Sequence, residues 1–308
     1  MRKAVSLAMA VMALCLLQGC FYTGVESTPK ITAGEVRRTQ EPVEAEDTFL
    51  ASVGPAPLRL WEPGKRFLVT DPRVALIFPS AGERAEALDG REITFRDASE
   101  SVGVTGIGVT LLRFDSPEGE ELVYKVNRPL GALMEADRMN VPFTIQTDMV
   151  EEADRMMRGR RLYVKTSLWR DDRDNTLRAR KYIPVTIDSV SPGGETFALR
   201  VSFHDGDGNL GHLYFNPGTK EGNTRSFADL FSFSDPRLKY PQIAPETWEL
   251  ITRGRVADGM TLLECRLALG APKEITRGAT TGYLREVWQY ENGIYLLFED
   301  GVLKDFRR

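Results

Sequence analysis

The chain has 308 residues, 42% hydrophobic and 27% charged, which is the balance of a folded globular protein and not of a disordered one. Its formal charge of −4 removes the electrostatic basis for a nucleic-acid partner and for adsorption of a basic face to anionic lipid. This length suits about two or three domains of ordinary size.

Residues 1–19 read MRKAVSLAMAVMALCLLQG, so two cations, Arg2 and Lys3, precede an apolar run from Ala4 to Leu17, and Cys20 follows Gly19. Charge, a short apolar core and a small residue in that order predict a secretory signal peptide, too short for a membrane-spanning helix. A cysteine directly after the cleavage position resembles the lipobox of bacterial lipoproteins. That resemblance implies lipidation of Cys20 by several acyl chains, palmitate among them, and several chains make attachment stable. Phe21, where Asp would signal retention at the inner membrane, implies by the same resemblance an outer-membrane anchor with the body in the periplasm. Of the three cysteines, Cys15 falls in the signal and Cys20 is expected to carry lipid. Cys265 then has no pairing partner and reads as a small buried side chain on a helix.

Residues 20–57 read as a lipidated tether. Thr39–Asp47 is acidic and almost free of apolar residues, and Gly54-Pro55-Ala56-Pro57 is a stiff, helix-breaking spacer. Residues 58–130 form a first β unit. Its predicted strands are Arg66–Thr70, Val74–Phe78, Glu92–Phe95, Gly108–Phe114 and Leu122–Val126, short branched and aromatic runs parted by turn signals. Residues 131–158 are a linker or short helix, with Glu151–Arg158 as the helical stretch. Residues 159–217 form a second β unit that repeats the first. Gly64–Thr70 matches Gly159–Lys165, and Val109–Asn127 matches Ala198–Asn216, with an acidic, Gly-containing turn at the same offset. This predicts a duplicated all-β unit of roughly sixty to seventy residues, each copy a small barrel or sandwich that resembles an SH3-like barrel. Residues 218–244 are a connector packed down by Phe227, Leu230, Phe231 and Phe233.

The last segment, 245–308, predicts an α+β domain. One helix starts at Pro245, where proline suits the first turn. A second opens on the capping box Thr261–Glu264, carries Leu262, Leu263, Leu267 and Leu269, and stops at Gly270 and Pro272. Strand-like runs follow at Lys273–Thr276, Leu284–Tyr290, Ile294–Glu299 and Val302–Phe306, joined by the tight turns Glu291-Asn292-Gly293 and Asp300-Gly301. Two helices and a β meander, with Gly259-Met260-Thr261, Leu269-Gly270, Pro272, Trp288, Tyr290, Tyr295, Phe298 and Gly301-Val302, resemble the SmpA/OmlA (BamE-like) family of outer-membrane lipoprotein domains. The resemblance implies a module that contacts envelope proteins.

Catalytic signals are sparse. No nucleophile elbow, Walker loop, zinc-helix motif or dinucleotide fingerprint is present, and Gly103–Gly108 lacks the following helix that a phosphate cradle needs. His204 and His212 flank Asp205-Gly206-Asp207-Gly208-Asn209, which opens like a calcium loop. Leu210 and Asn216 stand where such a loop needs its glycine and its bidentate acid, so an Asp-Gly hairpin turn accounts for the segment. Asp171–Asp174 reads as a solvated, self-paired loop. The sequence therefore predicts no cofactor, no metal and no catalytic residue, and a non-enzymatic envelope lipoprotein that binds a protein partner. The alternative is peptidoglycan or glycan binding by the SH3-like units, with Trp61, Tyr124, Tyr163, Trp169 and Tyr214 as candidate groove aromatics.

Overall fold

The computed structural model describes residues 43–79, 81–102, 108–221, 223, 225–280 and 282–307. The predicted signal peptide, Cys20, the tether up to residue 42 and the glycine run from Gly103 to Ile107 lie outside the described residues. Glu44–Arg308 forms one compact unit, mainly β, built as three sheets over three apolar cores. Among the described residues no helix is long and apolar enough to cross a membrane.

The chain enters through a short helix, α1 (Ala45–Thr48). The first sheet then collects β1 (Arg66–Val69), β2 (Glu92–Val102), β3 (Gly108–Asp115), β4 (Glu121–Val126) and β5 (Thr144–Gln146). Its order is β4-β3-β2-β1-β5, antiparallel throughout. Between β1 and β2, a 3-10 helix (Pro72–Leu76) and α2 (Glu83–Glu86) fold beneath the sheet, and α3 (Leu130–Met134) follows β4. Phe67, Phe95 and Phe114 fill this core edge to face, with Phe67 and Phe114 centroids 5.4 Å apart.

Helix α4 (Thr147–Met157) continues directly from β5 and lays Met149, Val150, Ala153 and Met157 on the second core. These positions recur every three to four residues, the stripe of an amphipathic helix. The second sheet contains β6 (Arg161–Val164), β7 (Leu168–Arg170), β8 (Thr176–Arg178), β9 (Ile183–Pro192), β10 (Leu199–Asp205), β11 (Leu210–Phe215) and, after helix α5 (Phe227–Leu230), β12 (Phe231–Ser232). Its order is β12-β6-β9-β10-β11-β7-β8.

With the β7–β8 hairpin set aside, the two sheets have the same order, β6, β9, β10, β11 and β12 standing for β1 to β5. The match reaches individual hydrogen bonds. Gly64, at φ 91°, donates to the Phe95 carbonyl at 2.7 Å, and Gly159, at φ 75°, donates to the Ile187 carbonyl at 2.8 Å. The β2–β3 and β9–β10 ladders each shift register beside that contact. Ser116 Oγ accepts from the Glu118 and Glu120 amides at the β3–β4 turn, as Asp205 Oδ1 accepts from those of Asp207 and Asn209 at the β10–β11 turn.

Helices α6 (Pro245–Thr252) and α7 (Leu262–Leu269) pack on the four-stranded meander β13 (Glu274–Thr280), β14 (Tyr283–Gln289), β15 (Tyr295–Glu299) and β16 (Val302–Arg307). Thr261 and Glu264 form the expected capping box, and Gly270 closes α7 at φ 87°. Trp288, Leu296, Phe298 and Leu303 fill the core with Cys265 and Ala268, whereas Leu263 is exposed. The second sheet holds this module through the segment after β8. Arg180 donates to Glu249 Oε2 at 2.7 Å, the Lys181 amide donates to the Thr252 carbonyl, and Tyr182 stacks on Trp248 at 5.7 Å.

Two expectations fail, and two segments form more structure than expected. Val74–Phe78 is not a strand: Asp71 accepts from the Arg73 amide and Pro72 fixes the first turn, so Val74 and Phe78 reach the core from a 3-10 helix. The tether does not extend to residue 57. Leu50 and Val53 are buried in the second core, and Ala56 is fixed by its amide to Gln146 Oε1 and its carbonyl to the Trp61 indole. The acidic composition misled because Glu46 finds its partners at Ser232 and Phe233, far along the chain. Within residues 131–158 the expected helix is present but longer, at Thr147–Met157, and α3 and β5 precede it. The 218–244 connector supplies β12, which completes the second sheet.

Candidate functional site: the cleft beside the extra hairpin

The β7–β8 hairpin is the element of the second sheet that the first sheet lacks. Its turn is the segment Asp171–Asn175, built like the Asp205 turn. Asp171 Oδ1 accepts from the Arg173 and Asn175 amides at 2.9 and 2.8 Å, and the Asp174 amide donates to the Asp171 carbonyl. Where the other two turns place Gly119 and Gly208 at positive φ, this one places Asp174 at φ 65°. Asp tolerates that region better than most residues but at a cost glycine avoids. In return the Asp174 carboxylate reaches the sheet.

There it meets His212, whose ring is buried. His212 Nε2 lies 2.9 Å from Asp174 Oδ1, and Arg200 donates to Nδ1 at 3.1 Å. Arginine has no acceptor, so Nδ1 takes the lone-pair role and Nε2 carries the proton given to Asp174. Both ring nitrogens are committed, and Tyr214 stacks edge-on at 5.3 Å. The hydrogen bond from His212, with contributions from Tyr214 and Arg170, holds the Asp174 carboxyl below the usual carboxylate range despite partial burial. His204 is separate. It bonds Asp188 through Nδ1 at 2.7 Å, and the Asp205 carboxylate is spent on its own turn. The two histidines share no ligand, and among the described residues no three His, Cys, Asp or Glu side chains gather as a metal would need.

β7 and β11 pair at one position, His212 with Arg170. Beyond it the strands part, and a cleft of about 360 Å³ opens where the ladder would have continued. Leu168, Trp169, Leu213 and Leu230 form its apolar wall, and Thr166, Arg170, Thr176, Tyr214, Arg225 and Asp229 its polar one. Arg170 NH1 donates to the Asp174 carbonyl at 2.6 Å and lies 3.5 Å from its carboxylate. Arg225 is half-buried, its guanidinium 5.6 Å from the Phe197 ring centroid. Burial first, and then the charge of Arg170, lower its pKa, and the charge of Asp229 opposes them in part. Among the described residues no carboxylate lies within ion-pair distance of Arg225.

A second cleft, of about 180 Å³, lies where β6 and β12 meet the C-terminal helices, between Lys165, Tyr182, Tyr240 and Trp248. There Lys239 pairs with Glu44, Lys165 donates to the Ala228 carbonyl, and Glu46 accepts from Ser232.

The sequence flagged Asp174, His212 and Tyr214 separately, and the fold brings them together. Asp171–Asp174 is an exposed hairpin turn, as expected, and Asp174 couples it to the sheet. The candidate groove aromatics are scattered. Trp61 and Trp169 are buried in different cores and Tyr124 packs on the first, which leaves Tyr163 and Tyr214 half-exposed. Cys265 is buried, and burial pushes its thiol up to about 12, so it is an inert core residue. Arg170 and Arg225 were missed, because among 40 lysines and arginines nothing local marks the two that the fold brings to one cleft. No protein-family model matches this chain, and no curated protein or solved structure matches it.

Proposed function

We propose that this chain is a non-enzymatic lipoprotein of the cell envelope, anchored to the outer membrane through lipidated Cys20. On this reading it presents two SH3-like β units and a BamE-like module to a protein partner in the periplasm. The observation that carries the reading is the leader, in which Arg2 and Lys3, the apolar run and Gly19-Cys20 follow one another in lipoprotein order. Two further features support it. The first and second sheets share one strand order, as tandem copies of a binding unit would. The C-terminal segment combines a capped second helix, the Gly270 stop and an antiparallel meander in the order of the BamE-like family.

The test is fatty-acid labelling in cells followed by fractionation and in-cell crosslinking. The wild-type chain is expected to incorporate label, to fractionate with outer membrane and to crosslink to an envelope protein. Cys20→Ser is expected to lose label and membrane association together. A Cys20→Ser chain that still fractionates with membranes overturns the anchor, and recovery of this chain alone overturns the partner. Co-sedimentation with isolated sacculi in place of a protein crosslink would favour the glycan-binding alternative.

A further inference from the structure

The smaller cleft, between the second sheet and the C-terminal helices, is assembled from residues as far apart in sequence as Glu44 and Leu267. Three rings line it, Tyr182, Tyr240 and Trp248. The two tyrosines are tilted only 33° and 31° from the indole, with centroids 5.7 and 6.3 Å from it. Trp248 is buried and both tyrosines are half-buried, so the tyrosines carry the aromatic surface that stays open. Tyr182 holds φ at 57°, a region that a bulky side chain takes only at a cost and that recurs at ligand clamps. Four charged side chains surround the rings, Glu44 and Glu46 against Lys165 and Lys239, so the lining is neutral as a whole. Lys239 is spent on Glu44, but Lys165 and Glu46 are only partly spent. An ammonium has three donors, and Lys165 gives one to the Ala228 carbonyl. Burial first, and then the charges of Lys220 and Lys239, lower its pKa, and Asp229 and Glu44 oppose them. Glu46 Oε1 accepts from the Ser232 hydroxyl and the Phe233 amide, and Oε2 takes no hydrogen bond from another described residue. A ligand that matches this lining brings no charge, a flat apolar face for the tyrosines, and hydroxyls that both donate and accept. At about 180 Å³ the cleft is smaller than the range of about 300–1,000 Å³ that holds drug-sized ligands, so it suits one ring and not a chain of them.

We propose that this cleft is a binding site for a single neutral sugar ring, with its C–H face on the tyrosines and its hydroxyls bonded to Lys165 and Glu46. A charged ligand would unbalance a lining that is already neutral. A purely apolar one would bury the spare Lys165 donors and the Glu46 oxygen without partners. The site uses none of the aromatics that the sequence marks for glycan, and it adds a small ligand to the protein partner proposed above. It stands whether or not Cys20 is acylated.

The test is saturation-transfer NMR of the detergent-solubilised full chain with methyl β-glucopyranoside and methyl N-acetyl-β-glucosaminide, and with sorbitol and glucuronate as controls. At least one of the two glycosides is expected to give a saturable signal, strongest at the protons of one ring face. Sorbitol, which has the hydroxyls without the ring, is expected to give none, and glucuronate to bind more weakly than the neutral sugars. Tyr240→Ala is expected to weaken binding about three- to tenfold, the share of one aromatic contact, and Tyr240→Phe to preserve it. No saturable signal from either glycoside, or a signal no stronger than that of sorbitol, overturns the site. Sugar binding that Tyr240→Ala leaves unchanged overturns this cleft as its location, and tighter binding of glucuronate overturns the neutral assignment. The comparison of ring with open chain needs no variant, so it decides even if Tyr240→Ala fails to fold. A negative result here leaves Cys20 labelling and crosslinking unaffected, so the two readings fail separately.

Discussion

The first and second sheets share five strands in one order, a positive-φ glycine at the same hydrogen bond and a register shift at the same place. They part in the segment between their first two strands. In the first sheet it coils beneath the core, where Val74, Phe78, Ala85 and Leu88 are buried. In the second it becomes the β7–β8 hairpin, which widens the sheet and leaves the arginine-lined cleft. A repeated frame thus keeps its packing while one connection is free to change, and the distinct chemistry sits in that connection.

The comparison breaks first if the cores are not separate. Phe114→Ala and Phe203→Ala remove equivalent buried rings, and each is expected to cost about 3–5 kcal/mol. Urea melts of Trp61-only and Trp169-only chains should show each substitution lowering mainly its own core. Equal shifts in both would mean that the frame unfolds as one body. A smaller effect separates the second sheet from the first at Lys181, a buried side chain in the contact with α6, whose pKa burial lowers to about 8. Between that value and the unfolded pKa of 10.5 the unfolded chain binds more protons, so stability should rise with pH across this window. Lys181→Met should flatten the rise and add at most about 3 kcal/mol near pH 7. Denaturant midpoints measured at successive pH values check both.

The smallest effect is at the matched turns. Ser116→Ala and Asp205→Ala each remove a side-chain acceptor and should cost about 1 kcal/mol. Burial opposes ionisation of Asp205, but hydrogen bonds from Asn209 and Asp207 outweigh it and hold its pKa low. Its contribution is therefore present at neutral pH and lost as pH falls through that lowered value, whereas Ser116 is tied to pH only through its hydrogen bond to Glu118, the weakest of the interactions that lower that carboxyl. Melts of the two variants at neutral and acid pH should diverge, and Asp205→Ser should remove the divergence.

The repeat was legible because its signals are local: alternating strands, Gly64 and Gly159, and turns ending in Gly119 and Gly208. The C-terminal helices were legible for the same reason, through Thr261, Glu264 and Gly270. β5, β12 and the packed segment around Leu50 were not. Each is a few residues long and gains its structure from a partner far away, such as the bridge between Leu50 and Gly218. The cleft was hidden for a related reason. Arg170, Tyr214 and Arg225 come from a hairpin strand, a second strand and a loop, and pairing of β7 with β11 brings the first two together.

The clasp between Glu46 and residues 232–233 also sets an order of events. Its two halves are separated by 186 and 187 positions, so closing it carries a large loop-closure cost and must follow formation of the intervening strands. A chain delivered from its N-terminus would present Leu50 first and β12 last, with the first sheet already assembled in between. The second core can therefore close only after residue 233 has emerged. Until then Leu50, Val53, Phe227 and Phe231 stay open to wrong partners, which makes this core the last part of the molecule to be protected.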